Sequence, residues 1–307
     1  MQQNFANFQI KDAQIEKFFD TFKKEPLGTG RNSIVYLTQH RLSSVYFALK
    51  EPKKDQVSKQ SIIVLQLRYN EINIFIKLWQ NNDQEFPRCI PYMEKFSESH
   101  QILMEYMKNG SLLDILLTSG KFAEKFARTI AINLYNQIGL LHRNGVVHFD
   151  LKPDNIMFNE NMMLKLCDLG YANQPMGFTQ GYASPEQIQN KIIDAEKCDV
   201  FAYGVIIFII VMGFPPFQHY QDNWYEMISN QQWDRFWNKV KQNGKPDPSD
   251  EFKVLITKII AADLNKRYNM QNISTAVWYT LEKASDQECT QELLKRISLR
   301  NVGYYKY

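Results

Sequence analysis

The sequence predicts an α+β chain, with strands gathered in its first third and helices filling the rest. Three observations carry this. Residues 33–50 alternate strand formers on either side of a polar turn at His40 to Ser44, the period of a half-buried hairpin. Phe122, Phe126, Ile130, Leu134, Ile138 and Leu141 recur every three or four residues, which predicts a long amphipathic helix. Val200 to Phe214 is an apolar run that ends at Pro215-Pro216. It is too short to span a bilayer and reads as a buried core helix.

The 307 residues are 44% hydrophobic and 22% charged, enough for one large domain or two lobes with ample core. A net charge of +3 with interspersed acids does not mark a nucleic-acid binder. The four cysteines, at 89, 167, 198 and 289, form no Cys-x-x-Cys pair, so reduced thiols in the cytoplasm are expected. The amino-terminal residues lack a signal peptide's charged and apolar regions, and nothing predicts membrane attachment.

Taken in order, residues 1–21 form a lead-in, with Ile15, Phe18 and Phe19 at helical spacing. Next comes Leu27-Gly28-Thr29-Gly30-Arg31-Asn32-Ser33-Ile34-Val35. Gly28 and Gly30 let the backbone approach phosphate oxygens and offer N–H donors to them. On the following strand Ala48 and Lys50 share a face, with Val35 beside them from the neighbouring strand. A small residue suits a flat base, and an ammonium suits its phosphates. Residues 61–79 predict a helix that places Glu71 among Val64, Leu67, Ile74, Phe75 and Leu78. A carboxylate so placed wants a cation. Strands are expected near Ile90 to Phe96 and Gln101 to Glu105. The long helix stops before Gly145.

The chemistry gathers just beyond, in Val147-His148-Phe149-Asp150-Leu151-Lys152-Pro153-Asp154-Asn155-Ile156. Asp150 can accept a proton from an attacking hydroxyl. Lys152 can neutralise a phosphate, and the Asn155 oxygen suits Mg²⁺. An alternating strand then ends in Asp168-Leu169-Gly170. Asp168 can reach a metal, and Gly170 lets the chain turn away.

This order and spacing resembles the eukaryotic protein kinases, Ser/Thr branch, over roughly residues 22 to 280. The resemblance rests on Gly28 and Gly30, Val-x-x-Lys-like Phe47-Ala48-Leu49-Lys50, Glu71, His148-x-Asp150 with Asn155, Asp168-Leu169-Gly170, Pro185-Glu186, Asp199 and Arg267. It implies a two-lobed fold: a small antiparallel sheet with one main helix as N-lobe (22–104), a hinge (105–110) and a mostly helical C-lobe (111–285). Residues 286–307 form a tail that packs on the large lobe or meets a partner. It also implies ATP and Mg²⁺ as cofactors and a protein substrate. Gly28, Gly30, Val35, Ala48, Lys50, Glu71, Glu105, Met107 and Met157 would bind the nucleotide, with Glu71 pairing Lys50. Asn155 and Asp168 would hold the metal, and Asp150 and Lys152 would be catalytic. Thr179 would bond Asp150 and Lys152 within the substrate-docking segment, Glu186 would pair with Arg267, and Asp199 would cap the backbone of the catalytic loop.

Three departures qualify the resemblance. Asn32 and Ser33 stand where the family has an aromatic residue and a glycine, which predicts a looser lid and weaker ATP affinity. Phe149 replaces the arginine that receives a loop phosphate, and Tyr171 to Phe178 contain no Ser or Thr. Together these predict activity that does not depend on loop phosphorylation and is constitutive or set by a regulatory or scaffold protein. The rival readings are a kinase-fold pseudokinase or structural scaffold, and a small-molecule or lipid kinase.

Overall fold

The structure, a computed structural model, describes residues 15–30, 33–53, 70–74, 78, 93–96 and 101–299. The chain divides into two compact units, residues 1–108 and 109–307.

In the first unit, α1 (Ile15–Phe18) runs straight into β1 (Phe19–Phe22), followed by β2 (Gly28–Thr29), β3 (Ser33–His40), β4 (Tyr46–Pro52), β5 (Met93–Phe96) and β6 (Gln101–Glu105). These form one antiparallel sheet in the order β1-β3-β4-β6-β5, with β2 added onto β3. Phe19, expected at the end of a lead-in helix, lies instead in β1. Its ring is buried against Phe47, Leu49 and Leu103 and meets Phe47 edge-on at 5.7 Å. Burying an aromatic in the sheet core outweighs continuing a four-residue helix. Asn70 to Ile74 and Leu78 are helical. The remainder of the helix expected at 61–79, including Phe75, lies outside the described residues. So do Asn32, Cys89, residues 90–92 and the final aromatic residues.

The second unit opens with α2 (Leu112–Ser119) and α3 (Glu124–Arg143). Ile130, Leu134, Ile138 and Leu141 of α3 are buried, as their spacing predicts. A hairpin of β7 (Ile156–Phe158) and β8 (Leu164–Leu166) follows, then α4 (Pro185–Ile188), α5 (Glu196–Met212), α6 (Asn223–Ser229), α7 (Trp233–Gln242), α8 (Asp250–Ile259), α9 (Met270–Ser274), α10 (Val277–Thr280) and α11 (Asp286–Ser298).

Helix α5 is the apolar run of the sequence, begun three residues before Asp199. It is buried nearly all round and serves as the axis of the unit. Gly204 lets α8 approach it, because a Cβ there would lie 2.5 Å from methyl carbons of Ile259 and Ile260. The tail helix α11 packs on α2 and α3. Its Arg296 stacks on Phe122 at 3.8 Å and donates to carbonyls of Ser119, Gly120 and Lys121, closing the carboxyl end of α2. Among the described residues no helix is long and apolar enough to cross a membrane.

Candidate active site

Two clusters of the sequence-selected residues form, one in each unit. In the sheet, Val35 pairs with Lys50, and Ala48 with Met104. Opposed residues and residues two apart share a face, so Val35, Ala48, Lys50 and Met104 line one side. Lys50 Nζ lies 2.9 Å from Glu71 Oε2, with the side chains 12% and 3% exposed. Removing two charges from water at this depth is tolerable only because they meet. Gly28 and Gly30 lie at the β2–β3 turn, where Gly30 N donates to Ser33 O at 2.9 Å. Glu105 ends β6 opposite Phe47, and Met107 is buried just beyond it.

In the helical unit, Asp150 is 5% exposed and its carboxylate is gripped from two directions. Lys152 Nζ lies 2.8 Å from Oδ2, and Thr179 Oγ1 donates to Oδ1 at 2.6 Å. Lys152 also donates to Thr179 at 2.8 Å, closing a three-membered ring of contacts. Asn155 Nδ2 donates to the Asp150 carbonyl at 2.8 Å. That contact turns the amide so that its oxygen is the end offered to a cation.

The β7–β8 hairpin explains why Asn155 and Asp168 come together. Ile156 pairs with Leu166, and Cys167 N donates to Asn155 O at 2.8 Å. Asn155 thus faces Cys167, one residue short of Asp168. Asp168 takes a left-handed conformation, φ 63°, which re-aims its side chain as the chain leaves the strand. Met157 sits on β7 and bridges to Ser111.

Below the loop, Asp199 is fully buried and organises the backbone. Its oxygens accept from His148 N and Phe149 N, each at 2.8 Å. His142 Nε2 lies 2.9 Å from the same carboxylate, and because an aspartate only accepts, that nitrogen carries the proton. Glu186 and Arg267 meet as a fork, Nη1 to Oε1 at 2.5 Å and Nη2 to Oε2 at 3.1 Å. Burial alone would raise the Glu186 carboxyl, but the Arg267 fork overrides it and holds the group below its ordinary value. Burial pushes the neighbouring Cys198 thiol up to about 12, so it stays a neutral core residue. Tyr182, in the segment expected to dock substrate, is pushed up to about 12 by burial and then by Asp154.

Four polar residues that sequence reasoning passed over hold these pieces in place. Gln137 of α3 clasps β8, donating to Leu164 O and accepting from Leu166 N at 3.1 Å. Asn173 and Gln187 join the segment after Asp168 to the catalytic loop. Tyr220 OH donates to Ala183 O, three residues before Glu186. Each works through backbone carbonyls far away in sequence, so neither periodicity nor a local motif points to it. Phe149 is buried among Val147 and Cys198, with Ile192 and Ala195 packed beside it, an apolar seat rather than a receptor for a charged group.

A buried carboxylate steadied by a lysine and a threonine, beside an amide oxygen and a second carboxylate, is equipment for moving a phosphoryl group onto a hydroxyl. A family model described as "Protein kinase domain" matches residues 22–279. The chain therefore belongs to the protein kinase family, of the eukaryotic type, and its antiparallel sheet and helical unit are that family's fold. It is 28% identical over 291 residues to calcium-dependent protein kinase 3 of Plasmodium yoelii yoelii, covering 88% of this chain and 50% of that protein. It is 29% identical over 269 residues to CBL-interacting protein kinase 11 of Oryza sativa subsp. japonica, covering 82% and 50%. It is also similar to ribosomal protein S6 kinase alpha-6 of Danio rerio, 26% identical over 289 residues, covering 85% and 35%. The chain spans about half the length of these relatives or less.

Proposed function

We propose that this protein transfers the γ-phosphate of ATP to a serine or threonine hydroxyl of a protein substrate, and does so without phosphorylation of its activation segment. The observation that carries the reading is the Asp150 carboxylate, buried and held by Lys152 at 2.8 Å and Thr179 at 2.6 Å. In this reading Asp150 orients the incoming hydroxyl and takes its proton at a carboxylate oxygen. Lys152 neutralises negative charge next to it, and catalysis is mostly positioning and electrostatics.

The donor set suits Mg²⁺. Among the described residues no group of three or more His, Cys, Asp or Glu could hold a metal. Mg²⁺ asks for less, since it binds through one or two carboxylates and the substrate's own phosphates. Asn155 and Asp168 would hold it, and it would supply neutralisation of charge on the transferred group. Lys50, fixed by Glu71, would take the phosphates of ATP. Gly28, Gly30, Val35, Ala48, Glu105, Met107 and Met157 would surround the nucleotide. Ser33 in the glycine turn supports a weaker grip on ATP than a third glycine would give. The short loop without Ser or Thr, and the apolar seat of Phe149, support independence from loop phosphate. A regulatory or scaffold protein would then set activity, and the free thiols suit the cytoplasm.

The test is bacterially made, phosphatase-treated protein incubated with Mg-ATP and a mixed protein substrate, beside Asp150→Ala and Asp168→Asn. Transfer to Ser or Thr that both variants abolish is the expected result. Absence of both transfer and nucleotide binding would leave a kinase-fold scaffold. Activity that appears only after loop phosphorylation would end the claim of independence.

A further inference from the structure

The peptide that joins Phe149 to Asp150 carries the central carboxylate, and it is held at both of its polar ends. Its N–H lies 3.3 Å from His148 Nδ1. Its carbonyl accepts from Gln187 Nε2 at 2.9 Å. Because a peptide is a rigid plane, fixing its two polar groups fixes the direction in which Asp150 leaves it. Gln187 is 3% exposed, and its nitrogen also reaches Pro175 O at 3.4 Å. One carboxamide, with two N–H donors and no charge, thus bridges the catalytic loop and the activation segment.

Asn173 makes a second bridge on the other side of Phe149. Its Oδ1 accepts from Val147 N at 2.8 Å, its Nδ2 donates to Gly145 O at 3.1 Å, and its own N–H donates to Val147 O at 2.8 Å. Its φ of 58° is left-handed, which asparagine tolerates better than most residues. Gly177 lets the segment fold on itself: a Cβ there would lie 1.6 Å from the Tyr171 ring. The segment is therefore tied to the loop at 145 and 147 by Asn173, at 149 by Gln187, and at 150 and 152 by Thr179.

We propose that Gln187 is a positioning residue for phosphotransfer: together with Asn173 it clamps the activation segment to the catalytic loop through neutral hydrogen bonds, and so orients Asp150 without a phosphate. The inference rests on the reading of the protein as a kinase independent of loop phosphorylation. A carboxylate at 187 would present acceptors to two carbonyls. An aliphatic side chain would leave the buried Phe149 carbonyl without this donor and take one from the half-buried Pro175 carbonyl.

The experiment compares phosphatase-treated wild type with Gln187→Leu, Gln187→Glu, Asn173→Ala and, as a control on the exposed side of the same segment, Gln189→Ala. Loop phosphate is checked by mass spectrometry. Steady-state kinetics are measured with Mg-ATP and the mixed protein substrate, and thermal midpoints are recorded. Because a displacement of about 1 Å at the reacting groups can lower rates by about a hundredfold, kcat is expected to fall at least about tenfold for both Gln187 variants. Asn173 is exposed, so Asn173→Ala will fold. Its kcat is expected to fall about threefold or more, on the same grounds of displacement. The KM for ATP should stay within about threefold and the midpoint within about 12 °C, the scale of two lost hydrogen bonds. Gln189→Ala should match wild type.

If phosphate-free wild type is active and the Gln187 and Asn173 variants stay within about twofold of it, a change too small for lost positioning, the clamp is wrong and the parent reading stands. If their activity falls only in step with lost folding and a raised KM for ATP, the residues are structural and the positioning role is overturned. If phosphate-free wild type is inactive and loop phosphorylation restores it, the parent reading fails and the clamp with it.

Discussion

Arg267→Ala offers the most demanding test of how the segment ending at Glu186 is held. The Arg267 side chain is 0% exposed and that of Glu186 is 6% exposed. The guanidinium does more than bind Glu186: it donates to the carbonyls of Ala261 at 2.8 Å and Lys197 at 3.0 Å, and it lies 4.9 Å from the centre of the Phe201 ring. Deleting it strands a buried carboxylate, which costs about 3–5 kcal/mol. Part of the cost of the orphaned carbonyls falls within that range. At about 2–4 °C per kcal/mol for a unit of this size, the thermal midpoint should fall by about 6–20 °C. Arg267→Met with Glu186→Gln removes both charges, and should recover at least half of that loss.

The pH dependence fixes the cause. In the wild type Glu186 is held below its ordinary value. Its contribution is therefore fully present above the unfolded value, near 4.5, and is lost as pH falls through the lower folded value. Without Arg267, burial is the largest remaining influence, opposed by the smaller effects of a backbone hydrogen bond and of Ser184, and burial raises a carboxyl. The folded variant then prefers a protonated Glu186. Its deficit against wild type should shrink as pH drops from 7 to 5, by at most about 1.4 kcal/mol per pH unit. Urea denaturation of both proteins at pH 7, 6 and 5 measures this. A deficit that stays constant across those values, or a double variant no better than Arg267→Ala, would refute the claim that a stranded carboxylate is the damage.

Phe149→Ala should cost about 3 kcal/mol by emptying its seat among Val147 and Cys198. Glycine usually destabilises relative to alanine, but Phe149 has φ 63°. Phe149→Gly should therefore match or exceed Phe149→Ala in denaturation midpoint. Lys50→Met removes the partner of the buried Glu71 and should lower phosphotransfer by at least about a hundredfold in a radiolabel assay. Arg296→Ala frees α11 from the end of α2. It should cost about 2 kcal/mol by thermal denaturation with activity retained, because its partners, Ser119 to Phe122, are not among the residues that hold Asp150.

Legibility in the sequence followed the length over which a physical signal repeats. The α3 stripe from Phe126 to Leu141 spans about four turns, and an apolar run without a charged residue marked α5. The Val35, Ala48 and Lys50 face could be read because side chains alternate with a period of two in any strand. Short signals were weaker. Four residues such as Phe19 to Phe22 fit a helix end or a strand equally well, and only the core formed with Phe47 and Leu103 decides between them. Glu196 and Lys197 are charged residues in the first turn of the buried helix α5. Yet the Glu196 side chain is 55% exposed, and Lys197 spends its ammonium on the Leu264 carbonyl at 2.7 Å.

The charged site residues were visible for a different reason than the amides were hidden. A lysine or carboxylate in an apolar setting demands a partner, so Lys50 with Glu71 and Asp150 with Lys152 advertise themselves by charge. Gln187 and Asn173 make no such demand, because an amide is equally at home in solvent. Their partners are carbonyls, which every residue carries, 38 and 28 positions away. The one readable trace was negative: a stretch from Tyr171 to Phe178 without Ser or Thr, beside a phenylalanine where a cation would receive the phosphate. Had Phe149 been charged, the apolar cluster around it would have had to open or to find a counter-ion. With Phe149 neutral, the carbonyls beside it need only a hydrogen-bond donor and no compensating charge, and Gln187 is a buried donor that reaches the peptide carrying Asp150.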